Sequence, residues 1–259
     1  MKKRTAFIGS ILSLIPLGQP LFIKTGLVLS TTGLMISLPE KVKGESSEFY
    51  FKRAFDKAKR GDHYGAISDF TKAIEINPND FRAFTNRCNA KLEIKDFIGS
   101  IEDCTRSIAI DSNRDAPYYN RGIAKDNLKD YYGAISDYTK AIEINPNFHS
   151  AYYNRGNSKM SLEDYSGAIS DYTQAIEINP NKANVYVNRG NSKAELKDHY
   201  GAISDYTEAL EINPNYKRAY TNRGIDKEII GDLKGACADW QKASQLGDQD
   251  AANRVRRLC

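Results

Sequence analysis

The chain has 259 residues, 41% hydrophobic and 27% charged, with a formal net charge of +4. Several of the positive charges are N-terminal (Lys2, Lys3, Arg4, Lys41, Lys43) and the rest is near balance, so charge gives no footing to a nucleic-acid partner. Four cysteines without CxxC or Cys/His ligand spacing, and only three histidines, give no metal site and no catalytic centre.

Residues 1–44 are of a different composition from the remainder. A basic start precedes two apolar stretches, Ala6–Gly18 and Leu21–Leu38, split by Gln19-Pro20. The second carries one charge, Lys24, and has about the minimum length that spans a hydrocarbon core. Three readings stand. An uncleaved signal anchor would hold Lys2, Lys3 and Arg4 in the cytoplasm. A long signal peptide would end near Val42-Lys43-Gly44, although the A-x-A form is absent. A helical hairpin would keep the rest of the chain inside. The first two make a membrane-anchored or exported protein whose remainder lies on the non-cytoplasmic side.

From residue 47 the sequence repeats itself. YGAISDFTKAIEINPN begins at Tyr64, YGAISDYTKAIEINPN at Tyr132, SGAISDYTQAIEINPN at Ser166 and YGAISDYTEALEINPN at Tyr200. Pro146, Pro180 and Pro214 recur every 34 residues, Pro78 lies 68 before Pro146, and the missing proline falls at Ser112. A fixed period of this size marks a solenoid. Within 149–182, Tyr152 with Gly156, then Ala168, Tyr172, Ala175 and Ile176, fall at spacings of three and four on helical stripes. Asp164 is a natural N-cap between two helices, and Asn179-Pro180-Asn181 stops the second. The unit is therefore helix–turn–helix.

At this point the pattern resembles the tetratricopeptide repeat. The eighth positions are Ala54, Cys88, Gly122, Gly156, Gly190 and Gly224, and the twenty-fourth are Phe70, Cys104, Tyr138, Tyr172, Tyr206 and Trp240. Small residues also recur at the twentieth (Ala66, Ser100, Ala134, Ala168, Ala202, Ala236) and twenty-seventh positions (Ala73, Ser107, Ala141, Ala175, Ala209, Ala243). The resemblance implies an all-α fold, a right-handed superhelical α-solenoid of antiparallel helix pairs. Its six units are 47–80, 81–114, 115–148, 149–182, 183–216 and 217–250, with 251–259 as a C-terminal capping helix. Two departures stand out: arginine and lysine replace the family's leucine and tyrosine at the seventh and eleventh positions, and ADWQKASQLGDQDA in the last unit looks Sel1-like.

The same resemblance points to a site. The sixth column, Asn86, Asn120, Asn154, Asn188 and Asn222, would line the concave groove as an amide ladder able to satisfy the main chain of an extended peptide. The competing reading is that these amides bond the neighbouring unit and set the stacking. Tyr119 and Tyr153, with Asn89, Asn157 and Asn191, flank the ladder, the tyrosines either as anchors or as packing between first helices. The carboxylate clamp of chaperone-binding relatives fits in part, at Asn157, Asn188 and Arg218, but Tyr153 and Asn222 do not match it.

Arg53, Arg87, Arg121, Arg155, Arg189 and Arg223 recur with Asp69, Asp103, Asp137, Asp171, Asp205 and Asp239, which reads as a structural fork between helices. Cys88 and Cys104 read as buried free thiols. Cys237 and Cys259 meet only if the tail helix folds back. His63 and His199 read as solvated surface. The function expected is a non-catalytic scaffold that binds a protein or peptide, with no cofactor, metal, nucleic acid or small-molecule substrate. Its membrane contact would run through the N-terminal segment. The alternatives are an RNA-binding helical array or a co-chaperone for a chaperone tail.

Overall fold

The computed structural model describes residues 27–29, 35–37 and 46–259. The chain divides into two compact units, Met1–Glu45 and Ser46–Cys259. In the first, β1 (Leu27–Leu29) pairs antiparallel with β2 (Met35–Ser37), Val28 opposite Ile36. This differs from the membrane-spanning helix expected over Leu21–Leu38: at the described positions the apolar stretch is extended, in keeping with the strand preference of β-branched Val28 and Ile36. Among the described residues no helix is long and apolar enough to cross a membrane. The basic start and the cleavage site considered at Val42-Lys43-Gly44 lie outside the described residues.

The second unit is helical throughout. Its pairs are α1 (Ser47–Lys59) with α2 (His63–Ile76), α3 (Phe81–Glu93) with α4 (Phe97–Ile110), and α5 (Asp115–Asn127) with α6 (Tyr131–Ile144). They continue as α7 (His149–Ser161) with α8 (Tyr165–Ile178), α9 (Ala183–Glu195) with α10 (His199–Ile212), and α11 (Lys217–Ile229) with α12 (Leu233–Gln245). A last helix, α13, spans Gln249–Leu258.

Each second helix starts on an aspartate. Asp62, Asp96, Asp130, Asp164, Asp198 and Asp232 accept from the backbone N–H of the glycine three residues on, at 2.8–3.0 Å. Such caps contribute about 1 kcal/mol each. The turn into that cap is left-handed. Lys95, Lys129, Glu163 and Lys197 have φ near +62°, and Gly61 and Gly231 fill the same place in the outer units. The first five pairs are joined to the next where an asparagine, or Asp111 after α4, ends the second helix and its side chain accepts from the N–H two residues later, as Asn145 does from Asn147 at 3.3 Å.

Within a pair, the two helices meet at a glycine. A Cβ on Gly122, Gly156 or Gly190 would lie 2.6–2.7 Å from the ring of Tyr138, Tyr172 or Tyr206. Glycine is therefore what lets a buried aromatic cross the first helix. Unit one uses Ala54 against the smaller Phe70. Unit two replaces both partners by a bridge, Cys88–Cys104, with Cα atoms 5.5 Å apart. The free thiols expected there are thus a disulfide, because the two positions face each other at bridging distance once no ring stands between them.

Charge fastens the pairs and then the stack. Asp171, 2% exposed, receives Arg155 as a fork, Nε to Oδ2 at 2.9 Å and Nη2 to Oδ1 at 2.6 Å, while Lys159 Nζ lies 2.8 Å from Oδ2. The third arginine nitrogen, Nη1, donates to Thr139 of the preceding unit at 2.9 Å. The same bridge runs from Arg87 to Thr71, Arg121 to Thr105, Arg189 to Thr173 and Arg223 to Thr207. The fork lies inside one unit, and its spare donor sets the register with the next.

Consecutive helices pack throughout Ser46–Cys259. First helices also touch one another, α1 with α3, α3 with α5, α5 with α7, α7 with α9 and α9 with α11, whereas no two second helices approach this closely. Elements on the inner radius of a curved stack come closest together, so the first helices line the concave side.

Candidate groove on the concave face

Because the ladder columns sit on first helices, Asn154, Asn188 and Asn222 come into reach of the unit before them. Asn154 Nδ2 donates to Tyr119 OH at 3.1 Å. Asn188 Nδ2 donates to Tyr153 OH at 3.2 Å and to Asn157 Oδ1 at 3.0 Å, and Asn222 Nδ2 donates to Asn191 Oδ1 at 2.7 Å. The ladder is therefore part of the stacking. At the N-terminal end it breaks: Asn86 Nδ2 bonds back to Arg82 O of its own helix, Asn120 makes no side-chain bond among the described residues, and Asn89 is exposed.

A second set of bonds comes from the core. Tyr172 and Tyr206, passing over Gly156 and Gly190, bring their hydroxyls to Asn157 Oδ1 at 2.8 Å and Asn191 Oδ1 at 2.9 Å. Burial pushes both phenols well above their ordinary pKa, so each remains a protonated donor. The carbonyl oxygens of Asn157 and Asn191 thus accept twice, from a tyrosine and from the next asparagine.

An amide carries two N–H donors and an acceptor oxygen. Among the described residues, the amino groups of Asn157 and Asn191 and the carbonyls of Asn154, Asn188 and Asn222 have no protein partner. All five side chains are half-buried. Each of these amides is held by bonds on one half and keeps a donor or an acceptor without a protein partner on the other.

Tyr119 and Tyr153 both make contacts inside the stack. The Tyr119 ring lies 5.9 Å from Tyr138 and Tyr153 lies 6.0 Å from Tyr172, so each packs on the second helix of its own pair, and Tyr119 also lies 4.6 Å from Phe148, the cap of α7. Their hydroxyls meanwhile hold the ladder. Burial raises the Tyr119 pKa.

The groove deepens over the last units into a cleft of about 690 Å³, lined by Asn191, Asn222, Arg218, Met160, Ile225 and Ile229 among others. His199 also borders it and is not solvated surface: its Nδ1 lies 2.6 Å from Asp226 Oδ1, joining α10 to α11. Burial raises the Asp226 carboxyl, against the bond from His199. In the first unit His63 is half-buried, with Nδ1 lacking a partner. The reason for the difference is the tenth position of the following unit, Asp226 beside His199 and Ala90 after His63. Among the described residues no cluster of three or more metal-ligating side chains occurs.

Stacked helix pairs with a lined inner face define a helical-repeat solenoid. The family model of the tetratricopeptide repeat matches 116–148, 149–182 and 183–216, so the chain carries tetratricopeptide repeats. No curated protein matches the chain. Among solved structures, YrrB, described as a tetratricopeptide protein with an unusual peptide-binding site, is 23% identical with a TM-score of 0.66. That match covers 73% of this chain and 98% of YrrB. A MamA protein is 24% identical with a TM-score of 0.62, over 66% of this chain and 94% of the other. PilF of Pseudomonas aeruginosa is 16% identical with a TM-score of 0.69, over 82% and 97%. At these identities the likeness establishes the fold.

Proposed function

We propose that the concave face of units three to six binds an extended segment of a partner protein, reading its main chain through Asn154, Asn157, Asn188, Asn191 and Asn222. The observation that carries this reading is the half-paired amide row. Unpaired donors and acceptors held in place by the other half of each amide are arranged in advance for a strand that supplies both kinds of group, and little ordering remains to be done on binding. Tyr119 and Tyr153 support the row, and the cleft beside Ile225 and Ile229 takes an apolar side chain.

The helix pairs 47–80 and 81–114 continue the tetratricopeptide pattern on one side, and the Sel1-like 217–250 ends it on the other, capped by 251–259. Export or membrane attachment through residues 1–44 completes the proposal. It is supported by the basic, apolar start and by two disulfides, Cys88–Cys104 and Cys237–Cys259, which persist in oxidising compartments. The proposed role is a tethered, non-catalytic assembly scaffold.

The test exchanges donors for acceptors. In Asn157→Asp with Asn191→Asp, the oxygen that serves Tyr172, Tyr206, Asn188 and Asn222 is retained and the free amino group is lost. A displayed library of random decapeptides, selected on the wild type and on this double variant, is the measurement. Loss of two donors of about 0.5–1.5 kcal/mol each should weaken selected peptides by roughly 5- to 150-fold. Peptides that bind both proteins equally would refute the assignment.

A further inference from the structure

The two disulfides occupy opposite environments. Cys88 and Cys104 are completely buried between α3 and α4. Cys237, half-buried on α12, is joined to the exposed Cys259 just beyond the last turn of α13. Exchange requires a thiolate to reach a sulfur, so access separates the two bridges before any difference in stability does.

The exposed bridge closes a helix that belongs to the groove. In helix-to-helix packing α13 rests on α12, with Ala251, Val255 and Leu258 against Ala236, Trp240 and Ala243. Two side-chain bonds tie it to α11: Thr221 Oγ1 to Asp248 Oδ2 at 2.9 Å and Arg254 Nη1 to Glu228 Oε2 at 3.3 Å. Across from α11, its residues Asp250, Asn253, Arg254 and Arg257 form the far wall of a cleft of about 450 Å³. That cleft shares Asn222 and Ile225 with the larger one. The wall at this end of the groove is thus a ten-residue helix, held at one end by the Asp248 cap and at the other by Cys237–Cys259.

We propose that Cys237–Cys259 is a redox latch on the groove: a dithiol reductant opens it while Cys88–Cys104 stays closed, and opening loosens α13. One thiolate of the dithiol attacks a sulfur of the bridge, and the departing cysteine thiolate takes up a proton. The dithiol's second thiol then resolves the mixed disulfide. Two electrons pass from the dithiol, which ends as a disulfide, to the bridge, which ends as the thiols of Cys237 and Cys259. The latch itself stands on the packing of α13; its consequence for a bound peptide rests on the groove reading above.

The test uses the full chain and dithiothreitol. Thiols are trapped by alkylation over time and located by peptide mass spectrometry, and amide hydrogen exchange is followed in the same samples. Cys237 and Cys259 should be trapped at least tenfold faster than Cys88 and Cys104. Exchange across 249–258 should quicken at least tenfold on opening, return on reoxidation, and be matched by Cys237→Ser with Cys259→Ser without reductant. Equal trapping rates at the two bridges would overturn the selectivity, and unchanged exchange over 249–258 in the open form or the serine variant would overturn the latch. No peptide enters the readout, so a failed groove assignment cannot be mistaken for a failed latch.

Discussion

Asp171→Asn is expected to lower the unfolding free energy by about 3–5 kcal/mol, measured by urea denaturation followed by circular dichroism. The aspartate is buried, and its two oxygens take both the Arg155 fork and Lys159. Asparagine fits the space but leaves two cations beside each other with no counter-charge, a cost far above that of an exposed ion pair. Arg155→Lys should cost less, because Asp171 keeps a cation and only the fork and the Thr139 bridge are lost. A loss under 1 kcal/mol for Asp171→Asn would show the triad to be solvated and of little consequence. The chemistry also sets an acid limit. Hydrogen bonding from Arg53 holds the Asp69 carboxyl at about 2, below its ordinary 3.8. A depressed carboxylate contributes its full stability above the unfolded value and loses it as pH falls through the folded one. The denaturation midpoint should therefore hold down to about pH 4 and fall between pH 4 and 2.

The second large effect is expected at Tyr172, through two separable parts. Tyr172→Ala removes a fully buried ring that fills the crossing over Gly156, and should cost about 3–5 kcal/mol. Tyr172→Phe keeps the ring and removes the hydroxyl that fixes Asn157, for about 1 kcal/mol. The phenylalanine variant is the informative one for function. Its fold survives, yet Asn157 is released from one of its two bonds, so peptide affinity should fall more than stability does. Calorimetric titration against a selected decapeptide, beside the melting curve, separates the two. Affinity equal to wild type would show that the core tyrosine has no part in ordering the groove.

Helices were legible in this sequence wherever local chemistry marks them. Asp164 as a cap, Asn179-Pro180-Asn181 as a stop and the small eighth and twentieth positions all specify backbone events within a few residues. The glycines that follow each cap, such as Gly167, carry the same local signal. A Cβ at that place would collide with the capping carboxylate. Less legible were features that depend on two units at once. Nothing within 149–182 shows that Arg155 spends its spare nitrogen on Thr139, nor that the hydroxyl of a core tyrosine emerges in the groove at Asn157. The cysteines misled for a related reason: Cys88 and Cys104 take the places of a small residue and a ring, which suggested substitution by packing, and only the facing of the two helices turns them into a bridge. His199 differed from its counterpart His63 because its partner, Asp226, comes from the next unit.

The site was legible as columns and not as chemistry. Asn154, Asn188 and Asn222 could be aligned from the period alone, but whether they faced a ligand or each other could not. The structure shows one half of each amide bonded to the neighbouring unit, and the other half without a protein partner is what the proposal assigns to a ligand.

A crystal structure of the full chain with a decapeptide selected from the library tests this most directly. The peptide should lie along α5, α7, α9 and α11, accepting from Asn157 Nδ2 and Asn191 Nδ2 and donating to Asn188 Oδ1. Density for the peptide on the second helices, or along the groove with those amides still unpaired, would contradict it.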